Sequence, residues 1–300
     1  MIPPSLRKEL VHQHYKVIGN HSAVKLCFWL RKSMRDSGFC YKQKFYGIQS
    51  HRCMQMTPWL FCCNSCKFCW RVVEKTKIKV DKIDPPEKII EDSITAQRQL
   101  ISGFKGYEGV NLKKWKEAQN PNNAAISLVG EPTLYPKLSG LIEEFHRLRF
   151  STFLVTNGQF PEALEKITEP TNLYISLDAP DKDSYRKIDQ PSLPDFWERL
   201  NKSLELMDSF SCRKVLRLTL VKGWNMHFPE KYAKLIHKAN PDFVEAKGYV
   251  HVGESQKRLP RDTMPTHQEV KAFSEEISKQ SGYGYRDEQK ESRVVLLSGN

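Results

Sequence analysis

No stretch of the sequence approaches the roughly 20 consecutive apolar residues that a membrane-spanning helix needs, so a helical membrane protein is not expected. The start, Met1-Ile2-Pro3-Pro4-Ser5-Leu6-Arg7-Lys8, lacks the apolar segment of a secretory signal. Without a sign of export, the expected setting is a reducing cytoplasm. No internal repeat or low-complexity tract is visible, which leaves the 300 residues with one large core or one core with a modest appendage. Acidic residues are few beside basic ones, 35 against 47, for a formal charge of +12. That excess suits an anionic partner, nucleic acid foremost, although charge kept for solubility gives the same sum. Cysteine is almost missing beyond residue 69, where Cys212 stands alone, while the other seven of the eight crowd into residues 27–69. A disulfide scaffold would spread them along a shorter, secreted chain. Such crowding in a reducing compartment indicates metal.

Beyond residue 85, apolar strands alternate with amphipathic helices. The pattern predicts strands at 124–129, 152–155, 173–177, 215–221, 243–246 and 294–297. It predicts helices at 87–101, 138–148, briefly after Pro161, through Trp197 to Met207, and over about 228–238 and 267–279. Strand–helix alternation implies parallel strands with right-handed crossovers, in a barrel or an open doubly wound sheet. Residues 102–122, with Lys105, Lys113, Lys114, Trp115 and Lys116, read as a long inserted loop, functional or disordered. Residues 1–55 do not fit the alternation and read as an N-terminal extension, with the main domain over 56–300.

Cys62-x3-Cys66-x2-Cys69 is the strongest motif. At these spacings three thiolates can reach one compact centre from a single loop. A zinc site would want paired ligands and a fourth donor, and a two-cluster ferredoxin a fourth Cys followed by Pro; neither is present. The motif follows the apolar segment 57–61, where a first barrel strand would end and catalytic loops sit. Cx3Cx2C at such a place resembles the signature of the radical-SAM superfamily. The resemblance implies that Cys62, Cys66 and Cys69 hold a [4Fe–4S] cluster whose fourth iron takes the amino and carboxylate groups of S-adenosylmethionine. Gly130-Glu131-Pro132-Thr133 stands where the superfamily has its Gly-Gly-Glu motif. Gly130 would let the backbone approach the cofactor, and Glu131 would accept from the methionine ammonium. Asn157, in Thr156-Asn157-Gly158, resembles a ribose-contacting residue; alone, either segment reads as a turn.

Cys27, Cys40 and Cys53 are each separated by twelve residues. Buried free cysteines are common, but three just upstream of a cluster motif read most economically as a second three-thiolate cluster. Cx12Cx12C followed by Cx3Cx2C resembles the 4-demethylwyosine synthase family, radical-SAM lyases of wybutosine biosynthesis, and the likeness spans nearly the whole chain. It implies an α/β fold, a partial (β/α)6-type radical-SAM TIM barrel with an N-terminal extension carrying the second cluster. It also implies two [4Fe–4S] clusters, S-adenosyl-L-methionine, and pyruvate as co-substrate. Lys42, in Cys40-Tyr41-Lys42-Gln43-Lys44, falls where the family is thought to form a Schiff base with pyruvate; Lys44 is its rival. Some members carry a flavodoxin-like domain; here an external donor such as a flavodoxin or ferredoxin is expected. Cys63 and Cys212 read as structural.

Between residues 25 and 52 lie seven basic residues, Lys25, Arg31, Lys32, Arg35, Lys42, Lys44 and Arg52, against the single acid Asp36. Phe28, Trp29, Phe39, Tyr41, Phe45 and Tyr46 are interleaved. Cations for phosphates and rings for unstacked bases grip RNA loops, although such rings also pack around a cluster. Radical chemistry within a barrel requires the base to be flipped out of its stack. The resemblance implies 1-methylguanosine at position 37 in the anticodon loop of tRNA-Phe as target. The 5′-deoxyadenosyl radical would take a hydrogen from its N1-methyl group, and that carbon would couple to pyruvate before decarboxylation and ring closure. The rivals are another two-cluster RNA modifier such as a methylthiotransferase, an activase acting on protein, and a non-enzymatic iron–sulfur or zinc RNA-binding protein.

Overall fold

A computed structural model of the chain describes residues 2–71, 80 and 82–299. Packing divides it into two units. The first comprises Met1–Phe61, Thr76–Leu154 and Ile167–Thr171; the second comprises Cys62–Lys75, Val155–Lys166 and Asn172–Asn300.

The first unit opens with helix α1 (Pro4–His12) and an antiparallel hairpin, β1 (Lys16–Ile18) and β2 (Ser22–Val24). Two short helices follow, α2 (Phe28–Ser33) and α3 (Tyr41–Tyr46). Next come β3 (Cys53–Thr57), α4 (Pro86–Ser102), α5 (Leu112–Ala118), β4 (Asn123–Ile126), α6 (Leu138–Arg147) and β5 (Ser151–Thr156). β2 pairs antiparallel with β3, whereas β3, β4 and β5 run parallel. Met54, Met56, Ala124, Ile126 and Leu154 are wholly buried, as expected for parallel strands covered on both faces. Leu138, Leu141, Ile142 and Phe145 form the buried stripe of α6 at helical spacing.

Two expectations change here. The strand before the cysteine loop is 53–57, not the apolar run up to Phe61, because Pro58 lacks a ladder donor and the Thr57 hydroxyl turns back to bond Trp59. The 102–122 insertion is a folded element. A 3-10 turn (Gly103–Gly106) leads to α5, capped by Asn111, and Trp115 donates its indole N–H to the Ile101 carbonyl at 2.9 Å. Trp115 and Phe104 pack on Leu30, Met34, Ile101 and Ala118, a small core that periodicity did not reveal.

The second unit contains α7 (Pro161–Leu164), β6 (Asn172–Ser176), α8 (Lys182–Asp189), α9 (Phe196–Met207), β7 (Arg213–Leu220), α10 (Pro229–Ala239) and β8 (Phe243–Gly248). It ends with α11 (His267–Ser281), β9 (Gly284–Gln289) and β10 (Val294–Ser298). β6, β7 and β8 are parallel. The last strand departs from the expected parallel rule, since β10 pairs antiparallel with β8 and with β9. A hairpin needs only a short turn, whereas another parallel strand would need a crossover. Helix α8 was not anticipated: Tyr185 and Ile188 give it too narrow an apolar stripe, and its start is set by Asp181 accepting from the Ser184 N–H at 2.9 Å.

Candidate functional site

In the first unit, each of Cys27, Cys40 and Cys53 sits at an element boundary. Cys27 precedes α2, Cys40 precedes α3, and Cys53 opens β3. The Cys40 N–H is tied to the Ser50 hydroxyl at 2.9 Å, and the Ser50 N–H to the Gln43 carboxamide at 3.0 Å. The three thiols converge. Burial first, then the charges of Cys27 and Cys40, push the Cys53 thiol above its ordinary range, and Lys42 opposes them. Lys42 is 8% exposed, with its ammonium 4.4 Å from the centre of the Phe153 ring. Lys44, two residues on, lies on the exposed side of α3.

The same unit holds the segment leading to the cysteine loop. The Glu131 N–H donates to the Phe61 carbonyl at 2.7 Å. Gly130 has φ +75°, and a Cβ there would overlap the Trp59 carbonyl and meet the Phe61 oxygen at 2.8 Å. Only glycine fits this backbone-to-backbone crossing. Glu131 is buried, and its Oε1 accepts from the Thr133 N–H at 3.1 Å and hydroxyl at 2.6 Å. His21, which the sequence reading passed over, fixes the approach. Its Nε2 accepts from the Asp84 N–H at 2.9 Å, so Nδ1 carries the proton and donates to the Pro58 carbonyl at 2.6 Å.

In the second unit, the loop of Cys62, Cys66 and Cys69 has little regular structure of its own and is held from outside. The Ser65 and Lys67 N–H groups donate to the carbonyls of Asp189 and Ile188 at 3.1 and 2.8 Å, and Ser192 N–H donates to Cys63 at 2.9 Å. Arg258 donates from Nε to the Lys67 carbonyl at 3.2 Å and from Nη2 to the Cys69 carbonyl. At Gly253, φ +60°, a side chain would strike the Trp70 carbonyl, which also accepts from the Glu254 N–H at 3.0 Å.

The three sulfurs are near enough to act on one another. Burial leads, followed by Asp189, Cys62 and Cys69, in raising the Cys66 thiol. Burial also raises Cys69, against the cations of Arg71 and Arg258. The Cys66 thiol donates to the Asp189 carboxyl at 3.1 Å, itself raised by burial and by Asp178. Asn157 directs its amide toward the sulfurs of Cys62 and Cys63 at 3.6 and 3.3 Å, and its Oδ1 accepts from the Gln159 N–H. Asp189 and Arg258 escaped the sequence reading because they stand more than a hundred residues from the motif they touch.

Among the described residues, no three Cys, His, Asp or Glu side chains close on a single-ion site. The three thiols of each unit are the kind of donor set an iron–sulfur cluster takes, each thiolate binding a different iron. Buried thiols whose anions would repel one another are groups that a cationic centre converts to thiolates.

Residues 56–236 match the radical SAM superfamily, which defines the class of protein. Residues 238–299 match a family described as wyosine base formation. The S-adenosyl-L-methionine-dependent tRNA 4-demethylwyosine synthase of Pyrococcus horikoshii is 52% identical, over 98% of this chain and 90% of its own length. The synthase of Arabidopsis thaliana is 44% identical over 99% of this chain, which spans 47% of that longer protein. A solved structure of TYW1 with a lysine–pyruvate adduct bound superposes with a TM-score of 0.92 at 42% identity, covering 99% of this chain and 96% of that one. Archaeal TYW1 gives 0.84 at 38% identity, over 99% and 96% of the two chains. The chain belongs to the tRNA 4-demethylwyosine synthase family of radical-SAM enzymes. The fold class read from the sequence, α/β of the radical-SAM kind, is the one these relationships show. No helix among the described residues is long and apolar enough to cross a membrane.

Proposed function

We propose that this enzyme builds 4-demethylwyosine from 1-methylguanosine at position 37 of tRNA-Phe, with carbons supplied by pyruvate. The observation that carries the reading is the gathering of Cys27, Cys40 and the buried Lys42 about Cys53. In this reading Cys62, Cys66 and Cys69 hold one [4Fe–4S] cluster, and Cys27, Cys40 and Cys53, within the N-terminal extension 1–55, hold a second. When bound, the first cluster supplies the electron that cleaves S-adenosyl-L-methionine. Gly130 lets its backbone cross the Trp59–Phe61 segment and so positions Glu131, Glu131 receives the cofactor's ammonium, and Asn157 orients the loop sulfurs or the ribose. Lys42 engages pyruvate as an amine nucleophile, which requires its unprotonated form. The lysine–pyruvate adduct of the solved relative supports pyruvate as co-substrate. Exclusion of water by the buried surroundings of Lys42 favours imine formation. Electrons come from an external donor such as a flavodoxin or ferredoxin, and the setting is the cytoplasm.

The test is mass analysis of N1-methylated tRNA incubated anaerobically with this protein, S-adenosyl-L-methionine, reductant and pyruvate. The tricyclic base should form only with pyruvate present. A sulfur-containing adduct would favour a methylthiotransferase, and unchanged tRNA beside normal cofactor cleavage would refute the substrate.

A further inference from the structure

We propose that α2 and the Gly103–Gly106 turn form a groove that receives two successive unstacked nucleotides of a single-stranded RNA loop. Its rings stack the bases, and Arg31, Lys32 and Arg35 meet the phosphates. The choice of RNA rests on the functional reading above; the groove itself rests on geometry.

Two recesses of about 330 and 340 Å³ share Arg31 and Phe104 in their walls. The first is completed by Phe28, Lys32, Arg35 and Tyr107, the second by His14, Lys25 and Leu100 among others. Each has the size of a small-ligand site. Phe28 and Tyr107 are 53% and 57% exposed, a large apolar area left in water. The Arg35 guanidinium lies 5.9 Å from the Phe104 ring centre and 5.3 Å from that of Tyr107, and the Lys32 ammonium 5.8 Å from Phe28. Among the described residues, none of Arg31, Lys32 and Arg35 forms an ion pair. Asp36, the acid next to them, is occupied by Lys114 and by the Asn111 amide at 2.9 Å. Arg31, Lys32 and Arg35 therefore give the groove a positive charge.

Its floor is fixed. The Asn111 N–H donates to the Met34 carbonyl at 2.8 Å, and Phe104, Trp115, Leu26 and Cys27 pack on the Leu30–Met34–Ile101–Ala118 core. A preformed floor reduces the ordering cost of binding. Exposed rings beside cations are the combination that holds unstacked bases, which a duplex does not offer. An acidic protein surface would use the cations but leave the ring-walled recesses unfilled. The groove begins at Phe28, one residue after Cys27, on the helix which that cysteine precedes.

The test is fluorescence anisotropy with a short RNA hairpin carrying an anticodon-sized single-stranded loop, and with the same stem closed by a tight turn. The wild-type protein should favour the looped hairpin. Tyr107→Ala should weaken that binding by roughly 5- to 100-fold, while Tyr107→Phe, which keeps the ring, should bind as wild type. Arg35→Ala should reduce the slope of log affinity against log salt by about 0.7, one phosphate contact to a single strand. Circular dichroism checks that the variants are folded. Unchanged affinity in Tyr107→Ala together with an unchanged slope in Arg35→Ala overturns the groove. So does RNA binding that stays intact while the same variants lose reduction by a flavodoxin, which would make this face a protein dock. Because binding is read without cofactor or pyruvate, a wild-type protein that binds through the groove yet makes no tricyclic base sinks the functional reading alone.

Discussion

Lys42 and Lys44 share the short helix α3, and their surroundings separate them: one is buried beside the Cys53 thiol and the Phe153 ring, the other faces solvent. Borohydride trapping with pyruvate should therefore label Lys42 and persist in Lys44→Ala; a label confined to Lys44 would reverse the assignment. The thiol sets differ in what their loss should do. Cys66→Ala should abolish S-adenosylmethionine cleavage, measured as 5′-deoxyadenosine. Cys40→Ala should retain some cleavage and lose the tricyclic product. At Gly130, alanine adds the cost of a left-handed backbone, about 1–3 kcal/mol, to a collision with the Trp59 carbonyl. Gly130→Ala should lower thermal stability and disturb the Glu131–Phe61 contact.

At the scale of elements, the cysteine loop owes its shape to its supports. The C-terminal end of α8 supplies carbonyls for Ser65 and Lys67, and Arg258 spans two loop carbonyls with one planar guanidinium. Outer partners of this kind typically govern metal affinity or activity by 10- to 100-fold. Arg258→Ala is expected to reduce 5′-deoxyadenosine formation by about that factor and to lower iron content after anaerobic reconstitution. Arg258→Lys should rescue it poorly, because an ammonium lacks the fork that reaches both oxygens. Retention of full iron and activity in Arg258→Ala would show the loop to be self-supporting.

Across the whole molecule, burial is the main cause that lowers the affinity of His21, His51 and His146 for protons. Each has an ordinary value of 6.5 and binds a proton less readily when folded. The unfolded chain thus holds more protons as pH falls below about 6.5, and stability falls with it. Their contribution is fully present above that value and declines as pH descends toward the folded values. Urea midpoints should drop from neutral to mildly acidic pH, and His21→Gln should flatten part of the decline. A midpoint indifferent to pH through this range would contradict the assignment.

Most of the strand–helix alternation beyond residue 85 was legible, because period-2 and period-3.6 patterns are local and survive in a single sequence. Helix α8 was missed for want of a broad apolar stripe, and the 102–122 insertion looked like a loop because its packing partners, Leu30 and Met34, lie some seventy residues earlier. The sequence by itself determined the chemistry on offer: three thiols within one short loop, three more upstream, and an excess of cations among aromatic rings. Short spacing limits how far side chains can diverge, so such motifs speak before folding. Only the tertiary structure decided which lysine is buried, that Asp189 and Arg258 support the cysteine loop, and that an apparent loop forms the wall of a groove. Those outcomes depend on desolvation and on contacts between residues far apart in the chain, neither of which a linear pattern encodes.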